Sequence, residues 1–305
     1  MGRFEEMQAF QSAASALSFT GAAQRLGMSK SMISQRIADL EARLGVRLIN
    51  RTTRRLSLTE AGQSFLEGCI RALRETAEAE EEASRHGSEL RGAIRIAAPL
   101  SFALLHLQPA IFDFMAAHPG LDMHLDMDDR VVDLVQGGYD MAIRIVGRLP
   151  DSTLVARRLA PSRLVVSASP AYLAAHGAPL HPTDLGAHAC LIYSGAARAD
   201  LWPFRIGEEW VPLPVRGRLH ASSGDMLLSA AIAGHGIAQL PSFLVGSAVE
   251  SGALVPILRD FPAPDGIIHA VYPQRGHIAT RVRAFTDFLA ARIGPDPYWD
   301  RPLAR

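Results

Sequence analysis

The chain has 305 residues, 48% of them hydrophobic and 20% charged, which fits two or three folded units and excludes wholesale disorder. Net charge is zero but unevenly spread: residues 1–62 hold nine Lys/Arg against five acids, and residues 63–88 hold three Arg against six Glu. A basic head on a near-neutral body fits a polyanion at one end only, although a solvated basic face would give the same count.

The opening MGRFEEMQAF has no charged-then-apolar signal pattern, and no apolar run approaches the ~20 residues of a membrane span, so a cytoplasmic location is expected. Residues 4–17 read as a helix with Phe4, Met7, Phe10, Ala14 and Leu17 on one side. Thr20 is placed to cap a second helix through Leu26, which Gly27 breaks. Ser29 is a good N-cap for a third helix from Lys30 to about Leu44, closed by Gly45. Ile33, Ile37, Leu40 and Leu44 form its apolar stripe. Ser31, Ser34, Gln35 and Ala38 lie opposite, small or polar and suited to close approach. Residues 48–58 read as a hairpin with a Thr/Arg tip, a wing. Thr59 then caps a long helix from about Glu60 to His86, whose stripe of Phe65, Leu66, Cys69, Ile70, Leu73 and Ala77 is expected to pair with a second copy.

A short polar linker with Gly87 and Gly92 follows. From Ala93 the pattern alternates: strand Ala93–Ala98, helix Ser101–Ala117 interrupted near Pro109, strand Leu121–Met127, a helix turn at Val131–Gly137, strand Asp140–Ile145. Strand Arg163–Ala168 opens a second set, which Pro170–His176, Cys190–Tyr193, Ser223–His235, Gly236–Leu240 and Pro241–Ser251 continue. Strand His269–Tyr272 and helix Thr280–Arg292 complete it. Alternating strands and helices imply parallel sheets.

A short turn, a capped helix start and an exposed polar face are what a helix-turn-helix needs to lay its second helix in the major groove. Residues 20–44 supply all three. Residues 4–62 resemble the N-terminal signature of LysR-type transcription regulators. The matching residues are Phe10, Ser18-Phe19-Thr20, Ala22-Ala23, Leu26, Ser29, Ser34, Leu40-Glu41, Leu44-Gly45, Leu48, Arg51 and Leu58-Thr59-Glu60-Ala61-Gly62. The chain departs from the usual pattern at Lys30, its only lysine, where Gln is common, and at Ile49-Asn50. The resemblance implies an α+β multidomain protein. Its parts would be a winged helix-turn-helix (1–62), a linker and dimerisation helix with hinge (63–91), and a two-lobed α/β effector domain similar to periplasmic binding proteins (92–305). It also implies that Ser29, Lys30, Ser31, Ser34 and Gln35 address the major groove, that Arg36 and Arg51 touch phosphate, and that Arg54 enters the minor groove.

The effector domain of the family has two lobes joined by two crossover strands, here about 92–162 with 269–292, and 163–268. Ligands sit at strand ends where helix N-termini present free N–H groups. Three places fit: Ser101-Phe102, Asp129-Arg130 and Ser222-Ser223-Gly224, with Arg144 as a further candidate. Hydroxyls, N–H groups and arginines favour an anionic small molecule such as a carboxylate. Ser101 and Ser223 could equally be helix caps, and Arg144 could equally pair with Asp129 or Asp126. The expected partners are duplex DNA at promoters, a small-molecule effector, and further copies of the chain as dimer and tetramer, with RNA polymerase a further candidate.

No catalytic role, cofactor or metal is expected. No two histidines have i, i+4 spacing, Gly234-His235-Gly236 lacks a dinucleotide fingerprint, and Tyr193-Ser194-Gly195 is not a nucleophile elbow. Cys69 and Cys190 are too few and too far apart for a disulfide framework and read as buried thiols. The alternative is a redox-responsive regulator of the same architecture acting through Cys190.

Overall fold

The computed structural model describes residues 2–51, 56–83, 90–147, 149, 154–196, 198–273 and 278–304. The chain divides into two compact units, residues 1–89 with 133–139 and residues 90–132 with 140–305.

In the first unit, α1 (Arg3–Ala16), α2 (Phe19–Leu26) and α3 (Lys30–Leu44) surround a core of Ala9, Phe10, Ala13, Ala22, Ile33, Ile37 and Leu40, all fully buried. Ser18 caps α2, its hydroxyl accepting from the Gly21 N–H at 3.2 Å. The Thr20 expected in that role already lies inside the helix, where its side chain cannot reach the first free N–H groups. Ser29 caps α3 by accepting from the Met32 N–H at 3.2 Å. Gly45 ends α3 in the left-handed region at φ 69°, a conformation glycine adopts at least cost. Leu44, expected on the buried stripe, is 37% exposed at the last residue of α3.

The wing is β1 (Ile49–Arg51) paired antiparallel with β2 (Leu56–Leu58). Glu41 Oε1 accepts from the backbone N–H groups of Leu48 and Ile49 at 2.8 and 3.0 Å, tying α3 to β1. Thr59 caps α4 (Glu60–Ala83) by accepting from the Gly62 N–H at 2.9 Å, and its hydroxyl donates to the Arg47 carbonyl at 2.7 Å. A Cβ on Gly62 would lie 2.0 Å from the Leu48 carbonyl oxygen, so only glycine lets α4 pass the wing so closely. The first turns of α4 do bury their stripe on their own chain, contrary to expectation. Phe65 and Leu66 pack on the three-helix core, Cys69 is fully buried, and the Phe65 ring stands 5.6 Å from that of Phe10. The expected end of this helix at His86 and the linker at 87–89 fall outside the described residues.

The second unit opens with β3 (Arg91–Ala98). A helical run follows: α5 (Leu100–Phe102), a π-type stretch at Ala103–Leu107, and α6 (Gln108–Ala117). Then come β4 (Gly120–Met127), β5 (Met141–Val146), β6 (Leu154–Ser162), β7 (Leu164–Ala168), α7 (Pro170–His176), β8 (Cys190–Tyr193), the hairpin β9 (Leu201–Ile206) and β10 (Glu209–Pro214), and β11 (Leu219–Ala221). α8 (Gly224–Ile232), β12 (Ile237–Pro241), α9 (Ser242–Glu250), β13 (Val255–Pro256), β14 (Gly266–Pro273) and α10 (Thr280–Ile293) complete the regular elements. Two five-stranded sheets result, ordered β4-β3-β5-β14-β6 and β11-β8-β12-β7-β13. The expected parallel pairing holds for β4-β3-β5 and β11-β8-β12. β14 runs antiparallel between β5 and β6, and β7 runs antiparallel to β12 and β13. These exceptions are the strands that carry the chain between the sheets, so they enter from the opposite side. Residues 131–137 form no helix. Asp133 instead closes a turn, its carboxylate accepting from the Val135 and Gln136 N–H groups at 2.8 and 3.0 Å. The run Leu100–Ala117 is long and apolar enough to span a bilayer by composition alone, yet Phe102, Leu107, Ile111 and Phe114 bury one side of it in the core.

Replacing Gly62 by Ala is expected to cost the first unit about 1–3 kcal/mol or more through backbone overlap. All three tryptophans lie in the second unit. In urea, far-UV circular dichroism of G62A should therefore gain an early transition while the midpoint of tryptophan emission stays put.

Candidate functional site

The start of α3 presents a polar surface. Ser29, Lys30, Ser31 and Gln35 are exposed, as is the apolar Met32, and Ser34 is half-buried. The hydroxyls of Ser29 and Ser31 lie 2.9 Å apart, and Gln35 Nε2 donates to Asp39 Oδ1 at 2.8 Å. An exposed bond of that kind orients Gln35 and is cheap to exchange for another partner. Arg36 does not share this surface. It is 8% exposed and pairs with Glu5 of α1 at 3.3 Å, its Nε and Nη1 buried without a hydrogen-bond partner among the described residues. At about 100° per residue, 33, 36, 37 and 40 share one face, so Arg36 belongs to the core side of α3 and not to a phosphate. Arg43 makes a matching pair with the buried Glu6 at 2.6 Å. Arg51 pairs through its backbone with Leu56; its side chain and all of Arg54 lie outside what the structure describes.

In the second unit the loops after β3 and β4 meet the start of α8. Ser101 is buried and its hydroxyl donates to Asp225 Oδ2 at 2.5 Å. It is not a cap: α5 follows Pro99, and the Leu100 N–H donates to Asp129 Oδ1 at 3.1 Å. Ser223 does cap α8, accepting from the Met226 N–H at 3.4 Å. Ser222 beside it is exposed. Gly224 is buried, and a Cβ there would come 2.7 Å from Leu244 Cδ2. Phe102 leaves the site. It is fully buried, edge-on to Phe243 and Trp299, because its helical position points it into the core while Ser101 faces α8. Arg130 is exposed and held by both carboxylate oxygens of Asp128, with Nη2 at 2.7 Å from Oδ2. That guanidinium holds the Asp128 carboxyl below the usual carboxylate range. Arg144 Nη2 donates to the Val132 carbonyl at 3.0 Å.

Two residues join this cluster that the sequence did not single out. Asp225 sits in the first turn of α8 beside Ser222-Ser223-Gly224, and an acid at that place was the available signal. Tyr193 ends β8; burial and the Asp129 carboxylate push its phenol up, and nothing local in the sequence marks it.

Residues 4–63 match the family described as bacterial regulatory helix-turn-helix protein, lysR family, and residues 87–294 match the LysR substrate binding domain. The chain belongs to the LysR family of transcription regulators. It is 37% identical over 265 residues to an uncharacterized HTH-type transcriptional regulator of Haemophilus influenzae, covering 87% of this chain and 92% of that protein. It is 35% identical over 291 residues to the HTH-type transcriptional regulator CrgA of Neisseria meningitidis serogroup C, covering 95% and 97%. The solved structure of CrgA from Neisseria meningitidis superposes with a TM-score of 0.63 at 34% identity, covering 95% of this chain and 98% of that one. This LysR-family chain therefore combines a DNA-binding helix-turn-helix with an effector-binding domain.

Both thiols of the regulator are buried. Cys69 lies in the first unit's core, and Cys190 opens β8 with its Sγ toward the Leu185 and His188 carbonyls. Burial pushes each up to about 12, so at neutral pH almost no thiolate is present to react. A thiol-labelling reagent at pH 8 is expected to modify native protein at least about 100-fold more slowly than urea-unfolded protein. Rapid labelling of Cys190 in the native state would restore the redox alternative.

Proposed function

We propose that residues 1–62 bind operator DNA through the exposed start of α3, with Ser29, Lys30, Ser31, Ser34 and Gln35 toward base edges and Arg51 and Arg54 toward the sugar–phosphate backbone and minor groove. One observation carries this reading: Ile33, Ile37 and Leu40 of α3 are fully buried while its first turns keep hydroxyls, an amide and the only lysine in solvent. The linker is taken as 63–91 and the effector domain as 92–305.

The effector is proposed to enter between the two lobes at Ser101, Asp129, Tyr193 and Asp225. An anionic ligand is less favoured here than the sequence implied. The Leu100 N–H and the Ser101 hydroxyl are already engaged by carboxylates, and Arg130 and Arg144 are engaged elsewhere. A small molecule bringing hydrogen-bond donors or positive charge meets acceptors; one bringing a carboxylate must displace Asp225. Whichever binds acts only so far as it favours one arrangement of the lobes over another.

Self-association is supported by apolar surface left in solvent. Leu104, Leu105, Phe112 and Met115 are all 40–59% exposed along one helical run. A second copy would cover such a patch, and we take dimers formed through α4 and joined through the effector domains as the working assembly.

Gln35→Ala is expected to change preference at one base pair by about 1–3 kcal/mol, whereas Arg51→Ala should weaken every sequence alike and lower the salt dependence of binding. Gel shifts on a set of operator variants at two salt concentrations separate the two; equal losses everywhere would refute the division of labour. A thermal-shift panel of amines and carboxylates on the whole chain tests the cleft. Asp225→Asn should weaken any cationic ligand about tenfold, through loss of one charge-assisted contact.

A further inference from the structure

Residues beyond α10 follow the stretch that the family model covers, which ends at residue 294. They close in a 3-10 turn, Tyr298–Ala304, and three consecutive side chains, Tyr298, Trp299 and Asp300, hold it to the rest of the second unit. Trp299 is 4% exposed and sits in the core, 4.3 Å from the His106 ring and edge-on to Phe102. Its carbonyl oxygen would be 2.5 Å from a Cβ on Gly246, so glycine at that point of α9 admits the segment. Asp300 pairs with Arg163. Arg163 is the only residue between β6 of the first sheet and β7 of the second, so the pair grips the point where the chain crosses between lobes. The return crossover lies beside it: Gly266 is in register with Ser162, and burial raises the carboxyl of the neighbouring Asp265 while Arg163 opposes that rise.

Tyr298 reaches the same helical run of the first lobe. Its hydroxyl lies 2.6 Å from His106 Nδ1, in the π-type stretch that follows β3. His106 Nε2 lies 2.9 Å from the Phe243 carbonyl on α9. A carbonyl can only accept, so Nε2 carries the proton. Burial favours the neutral ring, so Nδ1 accepts from the Tyr298 hydroxyl. The imidazole is thus a bonded joint from the helical run of the first lobe to α9 of the second, fastened by the C-terminal segment.

We propose that residues 295–304 are a clamp that sets the relation between the two effector-domain lobes, with Tyr298 and Asp300 as its positioning residues. The proposal rests on the reading that lobe arrangement is what the effector changes, but the clamp itself needs neither DNA nor effector to be seen. Amide hydrogen exchange on the full-length protein without ligand tests it. Tyr298→Phe keeps the ring and loses only the hydroxyl. It should speed exchange in 103–107 and in the crossovers 160–166 and 264–268 about fivefold, the factor carried by one lost hydrogen bond. Asp300→Asn should do the same at 160–166, and Asp300→Glu should restore wild-type rates. Exchange in α3 and in the central residues of β3 should not move. Wild-type rates at the crossovers in both Y298F and D300N overturn the clamp. So does a uniform rise across the whole unit, which marks Tyr298 and Asp300 as mere contributors to stability. Either failure leaves the DNA-binding reading standing, because that is decided by gel shift.

Discussion

The rotation of α3 about its own axis is the constraint on which its exposed polar surface depends. Ile33, Ile37 and Leu40 are fully buried against Phe10 and the alanines of α1 and α2. Burying each side chain of this size contributes about 1.5–3 kcal/mol. A turn of one residue would expose these groups and drive Ser31 or Gln35 inward without partners, so apolar and polar terms favour the same setting. The ion pairs Arg36–Glu5 and Arg43–Glu6 sit on the flank of this contact. Their value lies in angular registration more than in stability, because partly exposed pairs contribute little net free energy.

The wing depends on a second packing constraint, one of backbone against backbone. Glu41 holds the N–H groups of Leu48 and Ile49, Thr59 holds the Arg47 carbonyl, and Gly62 lets α4 pass the Leu48 carbonyl. Three residues of the LysR signature therefore serve to join helix, hairpin and helix, and none of the three need touch DNA. The signature records the frame as well as the reading surface.

The effector domain shows the opposite economy. Its cleft donors are satisfied by the protein itself, with Asp129 on the Leu100 N–H and Asp225 on the Ser101 hydroxyl. Ser101 and Asp225 lie on different lobes, so their bond favours one lobe arrangement in the absence of ligand. In the proposed reading a ligand that breaks it would shift that balance, and by linkage the lobe arrangement would set the ligand's affinity in return. The proposed clamp of His106, Tyr298 and Asp300 would act on the same balance.

The sequence by itself determined α1, α2 and α3, the caps at Ser29 and Thr59, the wing, and the two-sided character of α3, because these follow from spacing and turn chemistry within a few residues. It also carried enough matched positions to place the chain in its family. It did not determine that Arg36 turns inward, that Phe102 leaves the cleft while Ser101 stays, or that Asp225 and Tyr193 join it. It missed β6, the β9–β10 hairpin and the crossover role of β7 and β14, whose pairing partners lie far away along the chain. Those outcomes were decided by tertiary structure. Arg36 follows from its spacing with Ile33, Ile37 and Leu40 once that side is known to be covered, but which carboxylate reaches the Ser101 hydroxyl depends on elements far apart along the chain (Ser101 and Asp225 are 124 apart), and no local pattern encodes contacts of that range.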